Sequence, residues 1–485
     1  MSESLFAVID QGSTATKGAL LTYRGERRFE TSLPVERRAE GPSVVHDPEA
    51  LAAGVESVLE QLLAAGRVTA IGLACQRSTC LLWERESGKA LTAALSWQDR
   101  SEAERVEGLV HRAEEVSRRT GLRLSPHYAA PKLARLLRRL PSGVSRAEAG
   151  ELVAGTLDAF LVRRLTGRDA TDPGHAGRTL LYNLDSGDWD PTLCELFGVP
   201  AAALPELRPS AGSWGAFRGV PLTAVAGDQQ AALLGHGGWQ EGVTAVHFGT
   251  GAFVLAATGS RLLRHPSLLS AVLATTGAGR RFQIEGSVNS AGSAVDWACR
   301  LTGQDLAAWQ ALPLDVERLP WVLPAFAGIG APWWRARASA AVIGLGLEVG
   351  PRELVAAVLA GVAQRVLDCV ESLQEAGVAT RVLRVSGRLT RLEGMVGLLA
   401  DAGQLTVEVS AEEETGLAGI ARLAEAGQTG DEGPLGEPPT ACRRREPAWS
   451  ASRARGARDE WRRFVQRTLE LTDPTNGQGS QRRPI

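Results

Sequence analysis

Residue types that bind phosphate are concentrated in two glycine-rich loops that lie far apart in the chain. The first loop, residues 10–18, begins with Asp10, and the second covers residues 247–253. Glycine allows the backbone to approach a ligand closely, and a nest of N–H groups with Ser and Thr hydroxyls binds phosphate. Taken alone, each loop is more typical of a hairpin turn. The pair, with an acid at the start of the first loop, predicts a nucleotide held between two related halves of the chain.

Asp228 is a candidate general base. It follows residues 224–227, which have the pattern of a buried strand, so we expect its carboxylate at the carboxyl end of that strand. A carboxylate placed there can accept the proton of a hydroxyl group that attacks phosphorus. An alternative role is the N-cap of a helix over residues 229–234, because Asp is favoured at that position. The two roles are compatible.

The elements that would position these residues follow from the hydrophobic pattern. Short β-type runs surround the first loop and are predicted at residues 6–9, 19–22 and 30–34. Asp47-Pro48-Glu49 is typical of a helix start and predicts a helix that ends near residue 65. Residues 68–75 have the pattern of a buried strand, and residues 80–83 are predicted as its hairpin partner. Strands and helices in this order indicate a mixed α/β fold.

A second α/β block begins near residue 224 and contains the second loop. A strand is predicted at residues 382–385, and helices are predicted at residues 290–301, 351–375, 392–402 and 416–426. The repeated order of strand, loop and helix suggests two copies of one architecture. Residues 428–440 are rich in Gly, Pro and Glu and are interpreted as a linker. A last helix is predicted at residues 450–471, followed by a frayed tail at 473–485.

Length and charge restrict the class of protein. A chain of 485 residues exceeds what one hydrophobic core usually serves, so two or more domains are expected. The net charge of −2 argues against nucleic acid or an acidic membrane surface as the main partner. The chain has no long apolar stretch and no signal-peptide pattern at its N-terminus, so we expect a cytoplasmic protein. The six cysteines are scattered, which argues against a zinc site. The sequence leaves open whether the chain forms a homo-oligomer.

Further motifs follow the first loop in a fixed order: Gln-Arg at 76–77, Ser-Trp-Gln-Asp at 96–99, Gly-Asp-Gln-Gln at 227–230, and Pro-Ala-Phe-Ala-Gly-Ile-Gly-Ala-Pro at 324–332. With the two loops, these motifs resemble the FGGY carbohydrate kinases of the actin/hexokinase/Hsp70 superfamily. Among the members of that family, the pattern is most similar to the glycerol kinases. The resemblance extends from about residue 5 to about residue 427.

The resemblance implies an α/β fold in which two actin-like, ribonuclease H-like domains enclose a nucleotide cleft. Residues 1–236 would form the N-terminal domain, with the acceptor site and the first phosphate loop. Residues 237–427 would form the C-terminal domain, with the second phosphate loop and the adenosine site, and residues 428–485 would form a linker, a last helix and a tail. It also implies an enzyme that uses ATP and Mg²⁺ to transfer the γ-phosphoryl group to a hydroxyl of a small polyol or sugar.

On the donor side, the resemblance implies that Asp10 acts through Mg²⁺, which binds few protein carboxylates and keeps several waters. The residues implied in ATP binding are Ser13, Thr14, Lys17, Gly249, Thr250, Gly251, Gly292, Asp296, Gly387 and Arg391. The chain departs from the family's adenosine motif at two positions. Ser386 stands for the first of two glycines, and Arg391 stands for an asparagine that meets the base. Lys17 is almost as typical of a solvated loop cation.

On the acceptor side, the resemblance makes Asp228 the catalytic base. The residues implied in acceptor binding are Gln76, Arg77, Ser78, Trp97, His127, Asp228, Gln229 and Phe253. Ser78 replaces a glutamate of glycerol kinases, and His127 replaces a tyrosine. Without the resemblance, His127 would be interpreted as a capping or core histidine.

Three functions remain as alternatives at this stage. The first is a kinase of glycerol or a near relative, and the second is a xylulokinase-like kinase of a ketose or longer polyol. The second is suggested by Ser78, His127 and Asp296, since the acid at position 296 is similar to that of xylulokinases. The third is a non-catalytic, nucleotide-binding regulator with an actin-like fold, which would have no need of Asp228, Arg77 and Trp97.

Overall fold

Two mixed β-sheets dominate the computed structural model, which describes residues 4–412, 414–437 and 441–472. The first half of the chain contributes a six-stranded sheet and the second half a seven-stranded sheet. A five-stranded sheet and several two-stranded sheets accompany them. The tail predicted at residues 473–485 lies outside the described residues.

The strands of the first half are β1 (Leu5–Gln11), β2 (Ala15–Leu21), β3 (Arg27–Pro34), β4 (Arg38–Glu40), β5 (Ser43–His46), β6 (Val68–Cys75), β7 (Cys80–Glu84), β8 (Ala94–Leu95), β9 (Leu152–Thr156), β10 (Ala170–Thr171), β11 (Tyr182–Asn183), β12 (Asp188–Trp189), β13 (Glu206–Leu207), β14 (Ala216–Phe217) and β15 (Val220–Gly227). Its helices are α1 (Pro48–Ala65), α2 (Ala103–Gly108), α3 (Ala113–Thr120), α4 (Ala129–Arg139), α5 (Gly143–Glu148), α6 (Leu157–Thr166), α7 (Pro173–Ala176), α8 (Pro191–Phe197) and α9 (Asp228–Gly235).

The strands of the second half are β16 (Thr244–Phe248), β17 (Ala252–Gly259), β18 (Leu269–Thr276), β19 (Gly279–Val288), β20 (Trp321–Leu323), β21 (Ala341–Ile343), β22 (Val382–Gly387), β23 (Thr406–Ser410) and β24 (Ala441–Arg445). Its helices are α10 (Gly292–Thr302), α11 (Pro351–Glu375), α12 (Glu393–Gly403), α13 (Thr415–Thr429) and α14 (Ala451–Thr472). The helices predicted from the sequence in this half are confirmed, with ends that differ by at most three residues.

The two large sheets share one strand arrangement. In the first sheet, β1 is antiparallel to β2 and parallel to β6, and β6 is parallel to β15. In the second sheet, β16 is antiparallel to β17 and parallel to β22, and β22 is parallel to β23. The expectation of two copies of one architecture is therefore confirmed, although the halves share no obvious sequence repeat.

Continuous apolar runs explain the central position of these strands. Residues 6–9 of β1 and 224–226 of β15 are fully buried, as expected for parallel strands that are covered on both faces. Across the sheet, Asp10 lies opposite Ala74, and Gly227 lies opposite Cys75. The carboxyl ends of β1, β6 and β15 therefore meet at one edge of the sheet, where α/β folds bind ligands.

The hairpin predicted between residues 68–75 and 80–83 is wrong. Strand β6 pairs with β1 and β15, whereas β7 pairs with β8 and β9 in the five-stranded sheet. Residues 76–79 carry the chain from one sheet to the other, and the Thr79 carbonyl accepts a hydrogen bond from the Leu157 amide. Both strands have the same apolar pattern, so the sequence could not distinguish a hairpin from a change of sheet.

Helix α13 comes from the second half of the chain but packs on the first sheet and on α9. A Cβ atom at Gly419 would lie 1.8 Å from the Ala231 carbonyl oxygen, and one at Gly72 would lie 2.9 Å from the Ile420 carbonyl oxygen. The small residues of α13 thus permit an unusually close approach. This packing places the start of α13 beside the carboxyl ends of β1 and β15.

The final segment belongs to the second sheet and its helices. Helix α13 continues to Thr429, within the segment interpreted as a linker, and Leu435 is fully buried. Strand β24 pairs with β23, and α14 packs through Trp461 and Val465. Helix α14 confirms the predicted last helix. None of the helices in the described ranges is long and apolar enough to cross a membrane.

Candidate active site

Three side chains meet where β1, β6 and β15 end. Asp10 is near the end of β1, Arg77 follows β6, and Asp228 is the first residue of α9 after Gly227. The Arg77 Nε atom lies 3.5 Å from the Asp228 Oδ1 atom, and 31% of the Asp228 side chain is exposed. The Gln229 amide donates to the same oxygen at 2.7 Å. Asp228 is therefore oriented from two sides and still accessible, as a base that meets a substrate must be.

Asp10 lies in an environment that favours a cation. Its Oδ1 atom is buried and has no hydrogen-bond partner among the described residues. Burial and the neighbouring Asp228 raise the pKa of Asp10 to about 7, although Lys17 acts in the opposite direction. A Cβ atom at Gly416 would be no closer than 3.8 Å to any atom, and its neighbours are the Asp228 carbonyl oxygen and Asp10 Oδ2. An unpartnered carboxylate oxygen and a second acid nearby fit a hydrated Mg²⁺ ion.

The first glycine loop is a tight turn with outward hydroxyls. The Gly12 amide donates to the Ala15 carbonyl, and the Thr14 carbonyl accepts from the Val35 amide. Ser13 is half-buried, and Thr14 is exposed. Lys17 forms an ion pair with Glu414, which immediately precedes α13. Backbone hydrogen bonds fix this turn, so the hydroxyl groups of Ser13 and Thr14 remain free to contact a ligand.

Two of the predicted acceptor residues are occupied within the protein. Gln76 donates to the Gly12 carbonyl at 3.2 Å and accepts from the Thr79 hydroxyl at 3.1 Å. Ser78 is buried with a φ of 64°, and its hydroxyl donates to the Arg178 carbonyl at 3.2 Å. Gln76 therefore connects the acceptor segment to the first phosphate loop, and Ser78 shapes the segment between β6 and β7.

The other predicted acceptor residues surround Arg77 and Asp228. The Phe253 ring lies under the Arg77 guanidinium at 5.9 Å, and His127 Nδ1 is 3.0 Å from the Trp97 carbonyl oxygen. Trp97 is 37% exposed, so its ring can form one wall of a pocket. Gln229 Oε1 is buried without a partner among the described residues. Aromatic walls with a few polar groups are typical of small-molecule sites.

A buried charge network connects the two halves of the chain. The Glu285 carboxylate, on β19, accepts from Arg77 at 3.0 Å and also pairs with Arg178, while Gln283 donates to it at 2.8 Å. Burial alone would raise the pKa of Glu285, but Arg178 and Arg77 outweigh it and hold the pKa at about 2. Arg178 also packs over the Tyr128 ring at 5.7 Å. This network fixes Arg77 in place.

The second glycine loop is attached to the start of α10. The Thr250 carbonyl accepts from the amides of Ala291 and Ser293, both at 3.0 Å, and the Gly249 carbonyl accepts from the Gly292 amide at 3.1 Å. Thr250 is exposed and Gly251 half-buried. The loop and the helix therefore behave as one unit facing the cleft.

The end of β22 and the short 3-10 helix that follows it contact the second glycine loop and α10. Gly387 has a φ of 95° and lies opposite Phe248 in the sheet. The next residue, Arg388, forms an ion pair with Asp296 and donates to the Gly292 carbonyl at 3.1 Å. Arg391 is exposed at the end of the short 3-10 helix Arg388–Arg391. Gly292, Asp296 and Gly387 are thus brought together.

Sequence analysis missed four residues of this region. Glu285 and Arg178 are 107 residues apart, and no local pattern connects them. Lys132 is fully buried and donates to the Ser78 carbonyl at 2.7 Å and the Ser96 carbonyl at 2.9 Å. Arg388 was not considered, although it follows the predicted Gly387 directly. Two sequence signals could have found members of this set: Lys132 lies within an apolar helix pattern, and Glu285 lies within a strand pattern.

Asp158, Asp172 and His175 form a buried cluster beneath the site, with three potential metal-ligand atoms within 4.8 Å of one another. Internal bonds already occupy it: His175 Nδ1 is 2.6 Å from Asp172 Oδ1, and Thr171 donates to Asp158 at 2.6 Å. His175 Nε2 lies 3.2 Å from the Cys75 carbonyl oxygen. Burial alone would lower the pKa of His175, but Asp158 and Asp172 outweigh it and raise the pKa to about 9. A protonated His175 thus supports the end of β6.

Two copies of one sheet, with glycine loops, an accessible acid and an arginine at the strand ends, fit an enzyme that transfers a phosphoryl group to an alcohol. The comparison with known families is consistent with that class. Residues 5–235 match the N-terminal domain of the FGGY family of carbohydrate kinases, and residues 244–427 match its C-terminal domain. The chain belongs to the FGGY family of carbohydrate kinases and is an ATP-dependent phosphotransferase with a sugar or polyol acceptor.

Relatives and solved structures agree with this assignment. A glycerol kinase of Cereibacter sphaeroides is 34% identical over 492 residues, covering 96% of this chain and 99% of the relative. The crystal structure of Plasmodium falciparum glycerol kinase with ADP has a TM-score of 0.89 at 24% identity, covering 96% of this chain and 99% of that chain. A xylulose kinase from Rhodospirillum rubrum has a TM-score of 0.85 at 22% identity, with coverage of 96% and 99%. At these identities, the two structures establish the fold alone.

Proposed function

We propose that this kinase transfers the γ-phosphoryl group of ATP to a terminal hydroxyl of glycerol or a closely related small polyol. The observation that carries the proposal is the pair formed by Arg77 and Asp228 at adjacent strand ends, 3.5 Å apart, beside Asp10. The relatives named glycerol kinase support this acceptor over a ketose, because they match almost the whole chain. An accessible Asp228 beside Arg77 also argues against a non-catalytic regulator, which would need neither side chain.

Asp228 is the proposed general base. Its carboxylate accepts the proton of the acceptor hydroxyl as the oxygen forms a bond to the γ-phosphorus and the bond from that phosphorus to the β-phosphate oxygen breaks. ADP leaves with the bonding electrons. Arg77, held by Glu285, donates to an acceptor oxygen and aligns the hydroxyl. Trp97 and Phe253 form apolar walls against the carbon chain of the acceptor, and His127 orients the Trp97 segment.

The donor is proposed to bind through its phosphates between the two glycine loops. Ser13, Thr14 and Lys17 would contact them from the first loop, and Gly249, Thr250 and Gly251 from the second. Asp10 would hold Mg²⁺ through water, and the ion would neutralise charge on the β- and γ-phosphates. In this proposal residues 1–236 supply the acceptor site, and residues 237–427 supply the second loop and the nucleoside side.

A coupled measurement of ADP release tests the proposal. The purified enzyme with ATP and Mg²⁺ is assayed against glycerol, erythritol, xylulose, ribulose and a blank without acceptor. We expect the highest kcat/KM with glycerol or another small polyol. A clear preference for a ketose would replace the acceptor assignment, and release no faster than the blank with every acceptor would overturn the proposed function.

A further inference from the structure

The glycines on the nucleoside side of the site are in close contact with neighbouring atoms. A Cβ atom at Gly292 would lie 2.4 Å from the Gly249 carbonyl oxygen and 2.8 Å from Arg388 Nη2, and one at Gly387 would lie 2.3 Å from the Phe248 carbonyl oxygen. In the second phosphate loop, a Cβ atom at Gly251 would lie 2.6 Å from the Val288 carbonyl oxygen, whereas one at Gly249 would be in ordinary contact at 3.8 Å. Gly292 and Gly387 therefore permit the close packing of β22 and α10 on which the position of Arg388 depends.

The amides at the start of α10 are also occupied. Those of Ala291, Gly292 and Ser293 donate to the carbonyl groups of the second glycine loop. A helix start usually offers such groups to a ligand. Here they hold the loop instead, so this helix start provides no further donor for a nucleoside.

Arg388 spans the gap between the end of β22 and the first turns of α10. Its guanidinium pairs with Asp296 and donates to the Gly292 carbonyl at 3.1 Å. The two side chains are 44% and 42% exposed. An exposed ion pair is weak, so a nucleoside that displaces this pair loses at most about fivefold in affinity. While the pair persists, Arg388 occupies the Asp296 Oδ2 atom and competes with a ribose hydroxyl for that carboxylate.

We propose that Arg388 weakens the contribution of the nucleoside to binding of the phosphoryl donor. By pairing with Asp296, it closes the space between β22 and α10, so nucleoside triphosphates bind mainly through their phosphates. The enzyme therefore discriminates weakly among bases and uses ATP and GTP at similar efficiency. This inference rests on the proposed kinase function, since it assigns the donor of the same site.

Steady-state kinetics with ATP, GTP, CTP and UTP test the inference. We expect kcat/KM values for the four donors within about tenfold of one another in the natural enzyme. In Arg388→Gly, the KM for ATP falls by up to about fivefold, which corresponds to the energy of an exposed pair. The KM for the acceptor stays the same. Arg300→Gln is the matched control, because Arg300 is an exposed arginine on α10 itself.

Calorimetric titration with ADP, GDP and inorganic tripolyphosphate reads binding without turnover. Similar affinities for the three ligands in the natural enzyme, and tighter ADP binding in Arg388→Gly, support the inference even if no acceptor is phosphorylated. These binding results without phosphorylation of any acceptor would overturn only the proposed function. A preference for ADP over GDP above about 100-fold that disappears in Arg388→Gly would mean that Arg388 recognises the base, and the inference is wrong. The inference is also wrong if Arg388→Gly and Arg300→Gln show the same donor KM values and the same affinities for ADP and GDP.

Discussion

Charged side chains hold the acceptor side and the donor side of the cleft in contrasting ways. On the acceptor side, Glu285 and its partners Arg77 and Arg178 have side chains that are 3%, 8% and 7% exposed. On the donor side, Arg388 and Asp296 are 44% and 42% exposed. Breaking a buried pair leaves an unpaired charge that water cannot reach, whereas an exposed pair is replaced by hydration. The acceptor geometry is therefore fixed, and the donor geometry can adjust.

This contrast assigns different tasks to the two sides. A fixed Arg77 beside Asp228 suits a reaction in which a small displacement of the attacking hydroxyl costs much of the rate. A displaceable pair at Asp296 suits a ligand whose phosphates are already held by two loops. Arginines paired with carboxylates thus hold the acceptor side rigidly but allow the donor side to adjust. The difference comes from burial, because only the acceptor-side pairs are shielded from water.

The largest expected effect comes from Asp228, the proposed base beside the fixed Arg77. Asp228→Asn is expected to reduce kcat by about 10²–10⁴-fold, because the amide cannot accept the proton of the acceptor hydroxyl. The affinity for ADP should stay close to that of the natural enzyme, as measured by calorimetry. Turnover within tenfold of the natural enzyme would remove Asp228 from the role of base.

Glu285→Gln tests whether the buried network really fixes Arg77. Loss of one partner leaves two guanidinium groups without their carboxylate, and we expect a decrease of about 3–5 kcal/mol in the free energy of unfolding. The KM for the acceptor should rise while the KM for ATP changes little. Glu206→Gln is the control, since the Glu206 side chain in its pair with Arg208 is 62% exposed. If Glu285→Gln and Glu206→Gln lost the same free energy of unfolding in urea, the contrast between buried and exposed pairs would be wrong.

The network around His175 is expected to make stability depend on pH. The pKa of His175 is raised to about 9 in the folded protein, from a value near 6.5 in the unfolded chain. Its contribution is therefore complete below about pH 6.5 and is lost as the pH rises through 9. The shift corresponds to at most about 3 kcal/mol. Urea unfolding of the natural enzyme and of His175→Gln between pH 6 and 10 measures this contribution to the free energy of unfolding.

The difference between the two proteins should narrow as the pH rises. A constant difference over this range would mean that His175 is neutral in the folded protein. In that event the support beneath β6 would consist of ordinary hydrogen bonds rather than of a charged group.

Ser78→Glu should give the smallest effect, because Ser78 is buried with its hydroxyl bonded to the Arg178 carbonyl, and the longer carboxylate must extend past that position to reach an acceptor. A carboxylate that accepts from two hydroxyls discriminates among acceptors more strongly than a serine does, because a mismatched ligand leaves a charge unpaired. We expect the ratio of kcat/KM for glycerol to that for erythritol to rise by about tenfold. Ser125→Glu, on the surface segment before His127, serves as the control. An unchanged ratio would mean that Ser78 does not set acceptor choice.

The sequence predicted those parts of the molecule that depend on local pattern. The buried runs at residues 6–9 and 224–227 ended where the structure places Asp10 and Asp228, and the small residues of α13 indicated a helix. The family, the fold and the kind of enzyme are confirmed. The roles of the individual site residues stay predictions.

Parts that depend on pairing over long distances could not be predicted. The change of sheet after residue 75 uses two strands with the same apolar pattern, so only the partners β1 and β9 distinguish it from a hairpin. The Arg178–Glu285 pair connects residues whose contact is decided by the mutual position of the two halves. Gln76 matched an acceptor motif, yet its hydrogen bonds show a connection to the first phosphate loop.

The position of α13 has a consequence for how the molecule can be divided. Its residues Leu417 and Ile420 share one core cluster with Phe6 and Val8 of the first sheet and with Leu255 of the second. A fragment that ends at residue 236 would expose one face of the first sheet to water. The two halves are thus repeats in architecture but a single unit in folding, and we expect them to unfold together rather than one after the other.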